Sequence, residues 1–422
     1  MSESSHELRI GGIAIPLYVQ ILLALVAAIA VGTTIGDGPL AQSLAIPCDL
    51  ILKALRALAT PLILLAVLHT FLTANIPGRA GRKLAGMLLT NTTVAIVIGL
   101  LVANILQPGK WGTIVTPGGK TDTATAFDPW SLLQNSVPEA VLKPLVDNNV
   151  IQLIVIALAL GIALRGLKAE QIKVGKTDYL PVEQLVTFLF DVVVRVLNWV
   201  IVLIPIAVFG IVAKTIAVSG FAPFKALAGL IVAVLVALGL QTLYYLTRVK
   251  LESWVSPQRF LAGGSDAFFT AFSTSSSTIT MPITFEGLRD RIGLRESSAS
   301  LGALVGSNFN NDGTALYEAM AALFIAQMIG QQLSFVQQLV VVLTSIFASV
   351  GAAGIPNAGL VTMTLVFTSV GLPPQYIAIL VTVDWFLDRC RTTINVMGDM
   401  TVSCLLDGKR PQLAGEIEVV ED

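Results

Sequence analysis

Six apolar runs constrain this chain more than any other feature of its sequence. They lie at about residues 13–35, 49–75, 84–107, 150–167, 181–218 and 222–247. A helix that crosses a bilayer needs roughly 20 apolar residues, and each run approaches or exceeds that length. Hydrophobic residues make up 55% of the chain and charged residues 13%, whereas a soluble domain has about 25% charged residues. The sequence therefore predicts an all-α, polytopic membrane protein.

Lysine and arginine set the predicted orientation. Basic residues follow the second, fourth, sixth and last spans, at Arg79, Arg82, Lys83, Lys168, Lys173, Lys176, Arg248, Lys250, Lys409 and Arg410. Because cytoplasmic loops are enriched in these residues, we expect a multi-pass protein of the cell membrane with both termini in the cytoplasm. The net charge of −1 gives no indication of a nucleic-acid partner. Three cysteines and two histidines argue against a disulfide framework or a His/Cys metal cluster.

Two apolar segments in the second half, at about 258–290 and 335–371, are interrupted at their centres. The interruptions read STSSSTITMP and SVGAAGIPNAG. The arms around them are too short to cross a bilayer, so both segments are predicted to be re-entrant hairpins. Either break alone could be a loop between two short spans, but two breaks in matching contexts favour hairpins. Broken helices in two related halves are typical of a transporter's binding site.

The stretch 384–399, DWFLDRCRTTINVMGD, concentrates charge on one predicted helix. At 100° per residue, one narrow face carries Asp384, Asp388, Arg391, Thr392, Asn395 and Asp399. Arg389 lies off this face and must serve another purpose. A charge at the bilayer centre costs a few kcal/mol, and one arginine cannot neutralise three carboxylates. The face is therefore predicted to bind cations, a substrate ammonium or protons, with a structural ion-pair network as the alternative.

A second polar cluster lies in the preceding helix. Its members are Asn308, Asn310, Asn311, Asp312 and Thr314. Amide side chains compete for backbone hydrogen bonds, so they are expected to interrupt the helix. Unwound carbonyls together with Asp312 and Asp399 would form an oxygen-only site, which suits hard cations such as Na⁺. Asn91 and Thr92 in the third span are further candidate ligands, and helix–helix hydrogen bonds are the rival explanation for them.

Three stretches closely resemble the glutamate transporter family, the dicarboxylate/amino acid:cation symporters that include the excitatory amino acid transporters. They read NNDGTALYEAMAALFIAQ, SVGAAGIPNAGLVTM and DWFLDRCRTTINVMGD. The resemblance is strong over about 265–405 and weaker before that. It implies a prokaryotic-type member with eight transmembrane helices and two re-entrant hairpins, which works as an elevator-type transporter and forms a homotrimer.

The resemblance also divides the chain into a scaffold and a mobile transport domain. Scaffold helices 1–2 are expected in 1–75 and scaffold helices 4–5 in 129–218. The transport domain is expected to contain helix 3 in 84–107, helix 6 in 222–250, hairpin 1 in 258–292, helix 7 in 295–328, hairpin 2 in 335–371 and helix 8 in 374–407. Residues 408–422 would form a cytoplasmic tail, and hairpin 2 would be the extracellular gate.

Functional roles carry over from the family residue by residue. Substrate-binding positions are expected at Ser276, Ser277, Thr314, Ala353, Gly354, Gly359, Asp388, Arg391, Thr392 and Asn395. Sodium-binding positions are expected at Gly306, Asn310, Asp312, Asn395, Asp399, Asn91, Thr92, Asn308, Ser349, Val350 and Ala352. Arg391 matches the arginine that grips a side-chain carboxylate, for which a planar fork is suited. Asp388 matches the carboxylate that holds the α-ammonium, and Glu318 matches the glutamate that carries a proton in the animal members.

Some positions depart from the family's pattern. Asn311 stands where the usual Asn-Met-Asp-Gly-Thr has its methionine, and Asn308 and Phe309 replace a usual Thr-Ile pair. Leu88 and Asn91 replace the usual tyrosine and threonine in the third span. The prediction is a symporter of L-aspartate and L-glutamate that has no covalent cofactor. Na⁺ coupling is favoured, and H⁺ coupling is the alternative.

Three other functions fit parts of the pattern. An intramembrane aspartyl protease would use Asp312 and Asp399, but Arg391 would keep Asp399 ionised and no Gly-x-Gly-Asp motif is present. An ion channel could line its pore with the polar face, but it has no need of an Asp388–Arg391 pair shaped for a zwitterion. A C4-dicarboxylate carrier is the closest rival, although succinate lacks the ammonium that Asp388 would hold. We therefore expect a transporter and not an enzyme.

Overall fold

The computed structural model describes residues 8–10, 13–15, 17–73, 78–112, 137–147, 150–351 and 358–409, nearly all of which are helical. This confirms the predicted all-α class. The exception is an antiparallel pair of short strands, β1 (Leu8–Ile10) and β2 (Ile13–Ile15). The first span, predicted to begin near residue 13, therefore begins only at Leu17. Two isoleucine-containing runs separated by two glycines are a β-hairpin pattern, which the apolar run that follows conceals.

The amino-terminal half forms a series of long helices. They are α1 (Leu17–Ile35), α2 (Pro39–Leu44), α3 (Ile46–Thr73), α4 (Gly78–Leu106) followed by a 3₁₀ turn (Pro108–Trp111), α5 (Lys143–Asp147), α6 (Val150–Lys173), α7 (Leu180–Val202), α8 (Ile204–Ser219) and α9 (Ala222–Glu252). Within the described ranges, four helical segments are by themselves long and apolar enough to cross a membrane: Pro39–Thr73, Gly81–Trp111, Leu180–Val202 and Ala222–Glu252. The helix breaks at Leu203, just before Pro205, where a kink was predicted because proline lacks an amide donor.

The carboxyl-terminal half contains the interrupted elements. They are α10 (Pro257–Thr274), α11 (Ser277–Glu286) with a π-helical turn (Gly287–Ile292), α12 (Glu296–Ser300) with a π-helical turn (Leu301–Val305), α13 (Gly306–Phe309), α14 (Asp312–Met328), α15 (Phe335–Gly351), α16 (Ala358–Ser369), a 3₁₀ turn (Pro374–Tyr376) and α17 (Ile377–Asp407). Helices α10 and α11 are the arms of hairpin 1, and α15 and α16 are the arms of hairpin 2. The tip of hairpin 2, residues 352–357, lies outside the described residues.

The helices pack into two groups. In the first, α3 packs against α6, α7 and α8, and α1 packs along α8. In the second, α14 packs against α4, α15 and α17, and α17 also packs against α9 and α10. Every residue of α14 except Gln327 is buried, as is most of α17. The polar clusters on these two helices are therefore enclosed by protein.

Two glycines allow the interrupted helix to approach α17 closely. A Cβ atom on Gly313 would lie 2.5 Å from the carbonyl oxygen of Arg391, and one on Gly398 would lie 2.3 Å from Nδ2 of Asn310. Neither distance is tolerated by a real side chain, because close-packed interiors cannot absorb such an overlap. Glycine at these positions brings the two polar clusters within hydrogen-bonding distance of each other.

Candidate functional site

The break between α13 and α14 lies at two consecutive asparagines. Asn310 has φ −95° and ψ 89°, and Asn311 has φ −116° and ψ 48°. Neither pair of angles is helical, so the predicted interruption by the amide cluster is confirmed. The helix restarts at Asp312, whose carboxylate occupies the amino-terminal turn of α14, where negative charge is favourable. The break places backbone and side-chain oxygens beside α17.

Arg391 occupies the centre of the polar face of α17 and is completely buried. Its Nη1 donates to Oδ1 of Asp384 at 2.8 Å, and its Nη2 donates to Oδ1 of Asp388 at 2.7 Å. The guanidinium carbon lies 4.1 Å from the ring centroid of Tyr317 on α14, which adds a cation–π contact. Its Nε has no hydrogen-bond partner within the described part of the chain. The guanidinium is thus held by two carboxylates and an aromatic face and retains one unused donor.

Two of these partners had no role assigned from the sequence. Asp384 lies on the predicted polar face. It is seven residues, or about two helical turns, from Arg391, and this spacing was the available signal for a pair. Tyr317 belongs to another helix, and its sequence position gives no sign of the contact. The pairing of Arg391 with Asp388, by contrast, follows from their separation of one turn.

Asn395 connects α17 to the helix break. Its Nδ2 donates to Oδ1 of Asn311 at 3.2 Å and to Oγ1 of Thr314 at 3.3 Å, and its Oδ1 accepts from the amide of Gly313 at 2.8 Å. Asn311 in turn donates from Nδ2 to the carbonyl oxygen of Ser349 at 2.9 Å. The structure therefore brings two predicted substrate-binding residues together with the carboxyl end of α15.

A buried cluster of oxygen atoms lies next to this junction. Asp312 accepts hydrogen bonds from Thr92 at 2.5 Å and from the hydroxyl of Tyr245. Asn310 donates from Nδ2 to Oδ1 of Asp399 at 3.0 Å, while its own Oδ1 is buried and has no partner among the residues with described side chains. Two carboxylates and an amide oxygen without a donor are ligands that suit a hard cation. Tyr245 was not identified from the sequence, because its contact joins residues far apart in the chain.

Gly306 and Asn91 have different surroundings within the predicted sodium-binding set. A Cβ atom on Gly306 would lie 2.9 Å from Oδ1 of Asp399, so the backbone of Gly306 adjoins the oxygen cluster. The side-chain oxygen of Asn91 instead accepts hydrogen bonds from Nη1 of Arg248 at 2.8 Å and from Tyr244 at 3.4 Å. That contact is a hydrogen bond between α4 and α9, the rival explanation considered for Asn91.

Hairpin 1 reaches α17 through its tip. Ser276 caps α11 by accepting a hydrogen bond from the amide of Ile279 at 3.3 Å, and Ser277 beside it is buried. Arg389 donates from Nη1 to the carbonyl oxygens of Phe272 at 2.9 Å and Ser273 at 2.7 Å. These carbonyls belong to the last turn of α10, which lacks intrahelical donors. Arg389, which lies off the polar face of α17, thus holds the tip of hairpin 1.

Hairpin 2 contributes its second arm at the other side of Arg391. A Cβ atom on Gly359 would lie 3.4 Å from Nη2 of Arg391, so the start of α16 adjoins the guanidinium. Thr392 donates to the carbonyl oxygen of Asp388 at 2.8 Å within α17. Ala352, Ala353 and Gly354 lie outside the described residues, as do the side chains of Asn308 and Val350. Their assigned roles remain predictions.

Glu318 is a further buried carboxyl, one turn beyond Thr314 on α14. It accepts a hydrogen bond from the hydroxyl of Thr362 on α16, and its Oε2 has no hydrogen-bond partner among the described side chains. Arg391 directs its ion pairs to Asp384 and Asp388. The hydrogen bond of Glu318 thus joins α14 to hairpin 2, and the sequence contains no sign of this contact.

Comparison with known proteins adds an independent line of evidence. A family model described as "Sodium:dicarboxylate symporter family" matches residues 17–409. Excitatory amino acid transporter 1 of Ambystoma tigrinum is 31% identical over an alignment of 421 positions, and the alignment covers 84% of this chain and 75% of the relative. An excitatory amino acid transporter of Caenorhabditis elegans is 32% identical over 406 residues, with 84% and 78% covered. Excitatory amino acid transporter 3 of Mus musculus is 28% identical over an alignment of 443 positions, which covers 90% of this chain and 83% of the relative.

Proposed function

Because the chain belongs to the sodium:dicarboxylate symporter family, and is therefore a membrane transporter and not an enzyme, we propose that it takes up the acidic amino acids L-aspartate and L-glutamate. The observation that carries this proposal is the buried guanidinium of Arg391, which forks onto Asp384 and Asp388. A planar fork of N–H donors matches a carboxylate at two points. The adjacent carboxylate of Asp388 matches an ammonium. Together these groups complement a zwitterion that carries an additional carboxylate.

Binding would proceed by an exchange of partners. The α-ammonium of the substrate would take Asp388, which releases Nη2 of Arg391. The side-chain carboxylate of the substrate would then accept from Nη2 and from the unused Nε. Each buried charge keeps a partner throughout, and this limits the desolvation cost. Succinate carries no ammonium and would leave Asp388 unpaired, so acidic amino acids are favoured over C4-dicarboxylates.

The remaining substrate contacts follow the same chemistry. The α-carboxylate would accept from the side chain of Asn395 and from the backbone around Ser277, next to the amino terminus of α11, where the helix dipole favours an anion. Thr314, on α14, would give a second contact to the side-chain carboxylate. Its hydroxyl already lies 3.3 Å from Nδ2 of Asn395.

Na⁺ is the proposed co-transported cargo. Asp312, Asp399, Asn310 and Thr92 would supply oxygen ligands, and the buried Oδ1 of Asn310 without a donor is the observation that fits a cation best. A proton carried on Glu318 is the proposed additional coupling ion. Coupling requires that each ion binds more tightly to the substrate-ready state than to the empty one. An H⁺-driven carrier that uses the same residues is the second candidate.

An elevator mechanism within a homotrimer completes the proposal. The second group of helices, with both hairpins, would move as one body against the first group, in the cell membrane and with both termini cytoplasmic. Each group has polar contacts between its own helices. Lys168 on α6 donates to Glu183 on α7 at 2.5 Å and to the carbonyl of Leu72 on α3 at 2.6 Å, and Thr92 joins α4 to Asp312 on α14.

Uptake into proteoliposomes, with Na⁺ and pH gradients imposed separately, tests the proposal. We expect saturable accumulation of labelled aspartate and glutamate when an inward Na⁺ gradient is present, and no competition from an equal concentration of succinate. Accumulation driven by a pH gradient alone, without Na⁺, would establish the H⁺-coupled candidate instead. Aspartate flux that does not saturate, or strong competition by succinate, would contradict the proposal.

A further inference from the structure

Asn311 holds three elements together from inside the helix break. It is buried, with 2% of its surface exposed. Its Nδ2 donates to the carbonyl oxygen of Ser349 at 2.9 Å, and its Oδ1 accepts from Nδ2 of Asn395 at 3.2 Å. Its own backbone oxygen accepts from the amide of Ala315 and begins α14. Both polar groups of this side chain are therefore used, one toward α15 and one toward α17.

The carbonyl oxygen of Ser349 on α15 needs a hydrogen-bond donor or a cation. Ser349 lies in the last turn of α15, where carbonyl oxygens have no intrahelical donor and the helix dipole is negative. Ser349 is also buried, which makes an unmet carbonyl costly. A hard cation would meet this need, because backbone carbonyls are good ligands for such ions. Here the amide of Asn311 meets it.

We propose that Asn311 is a positioning residue that holds the carboxyl end of α15 onto the substrate site in place of a cation at the Ser349 carbonyl. This inference rests on the proposed cation-coupled transport. The first arm of hairpin 2 is then held against Asn395 whether or not that cation is present. Because coupling arises only from a difference in ion affinity between states, aspartate binding in this protein requires fewer sodium ions than the carbonyl and carboxylate oxygens around the site would otherwise support.

A serine on the same helix provides a matched control. The hydroxyl of Ser345 is buried one turn before Ser349, and it has no hydrogen-bond partner among the described residues. Ser345→Ala removes a buried polar group from α15 and leaves intact the hydrogen bond from Asn311 to Ser349, which we call the bridge. Asn311→Met removes the bridge with an unbranched side chain that cannot donate to Ser349. Asn311→Ser is a second variant, whose shorter side chain cannot span the distance.

Hydrogen exchange of the full-length protein, without sodium and without substrate, measures the bridge itself. We expect backbone amides at the carboxyl end of α15 to be protected in the wild type. In Asn311→Met and Asn311→Ser they should exchange faster by roughly tenfold, the scale of one net hydrogen bond. Sodium should restore protection in both variants, since the freed carbonyl can then bind the ion. Ser345→Ala should behave as the wild type.

The dependence of aspartate affinity on sodium concentration tests whether Asn311 takes the place of a bound cation. The slope of log Kd against log[Na⁺] should be steeper in Asn311→Met than in the wild type by about one, since one more ion is linked to binding. An unchanged slope, or wild-type α15 amides that are protected only by sodium, would overturn the inference. The two proposals fail separately. Absence of aspartate binding in the wild type would refute the proposed function, whereas the exchange experiment requires no substrate.

Discussion

At the residue scale, the polar face of α17 illustrates how a membrane protein keeps charge in its interior. Arg391 is fully buried, yet two carboxylates and the ring of Tyr317 contact its guanidinium. The pair of aspartates leaves this cluster with a net negative charge. In the proposed function, the ammonium of the arriving substrate would neutralise that surplus.

Replacement of Arg391 by cysteine should abolish binding of acidic substrates and admit small neutral amino acids such as serine or alanine. Removal of one partner from a buried, charge-assisted pair costs about 2–5 kcal/mol, which is well over tenfold in affinity. Calorimetry on the purified variant measures this. Arg291→Cys is the matched control, because Arg291 pairs with Asp266 where both side chains are about half exposed. Aspartate affinity that is unchanged in Arg391→Cys would contradict the assignment.

Replacement of Glu318 by glutamine should remove the pH dependence of net uptake and leave substrate exchange intact. A glutamine preserves the hydrogen bond with Thr362 but cannot bind or release a proton. If Glu318 carries the proton, wild-type net uptake should fall as the external solution becomes more alkaline, since the loading step then lacks its proton. Paired assays of net uptake and of exchange across a range of pH make the comparison. A variant that keeps the wild-type pH profile would place the proton elsewhere.

The residues of the site differ in how far the sequence could predict them. The polar face of α17 follows from helical periodicity, because its members recur every three or four positions. The contacts of Tyr245 with Asp312 and of Thr362 with Glu318 join residues 67 and 44 positions apart. Such contacts arise from the packing of separate helices, which leaves no periodic trace in the chain.

At the element scale, the close crossing of the interrupted helix and α17 depends on glycine. Gly398→Ala should lower the melting temperature and weaken sodium-dependent aspartate binding, because its Cβ would lie 2.3 Å from the Asn310 amide and 2.8 Å from the Tyr245 hydroxyl. Overpacking of this kind costs about 1–3 kcal/mol. Gly239→Ala on α9 is the control, because a Cβ there meets no atom within 4 Å. Thermal unfolding in detergent and aspartate titrations measure both variants. Equal melting temperatures and equal aspartate affinities in the two variants would contradict the expectation.

The central breaks located the interrupted elements, whereas short strands were not recognised. The expected arm length of about 14 residues was wrong for two arms, because α10 has 18 residues and α15 has 17, which is at the lower end of the length that spans a bilayer. The strands β1 and β2 have three residues each, too few for alternation to register against the apolar run that follows. A Gly/Ser-rich break inside an apolar segment identifies the first kind of element, and local turn chemistry identifies the second.

At the scale of the whole molecule, the exposed apolar surface of α7 requires either lipid or protein beside it. Phe188 and Trp199 are 66% and 65% exposed, which is unfavourable in water. In the proposed homotrimer, light scattering corrected for detergent should give a protein mass of three times 44.6 kDa. We expect the same mass with and without aspartate, since the proposed motion occurs within each chain. A monomeric mass in mild detergent would contradict the homotrimer.

The two asparagines at the helix break and Asn395 on α17 also bear on how such a site can change over generations. Asn310, Asn311 and Asn395 share hydrogen-bond partners with one another or with the same neighbours. Effects of substitutions in such a network do not add, so the consequence of any one replacement depends on which residues already occupy the other two positions. A lineage that altered its ion requirement would therefore have few viable orders in which to acquire the changes, and its history would be constrained by epistasis between the helix break and α17.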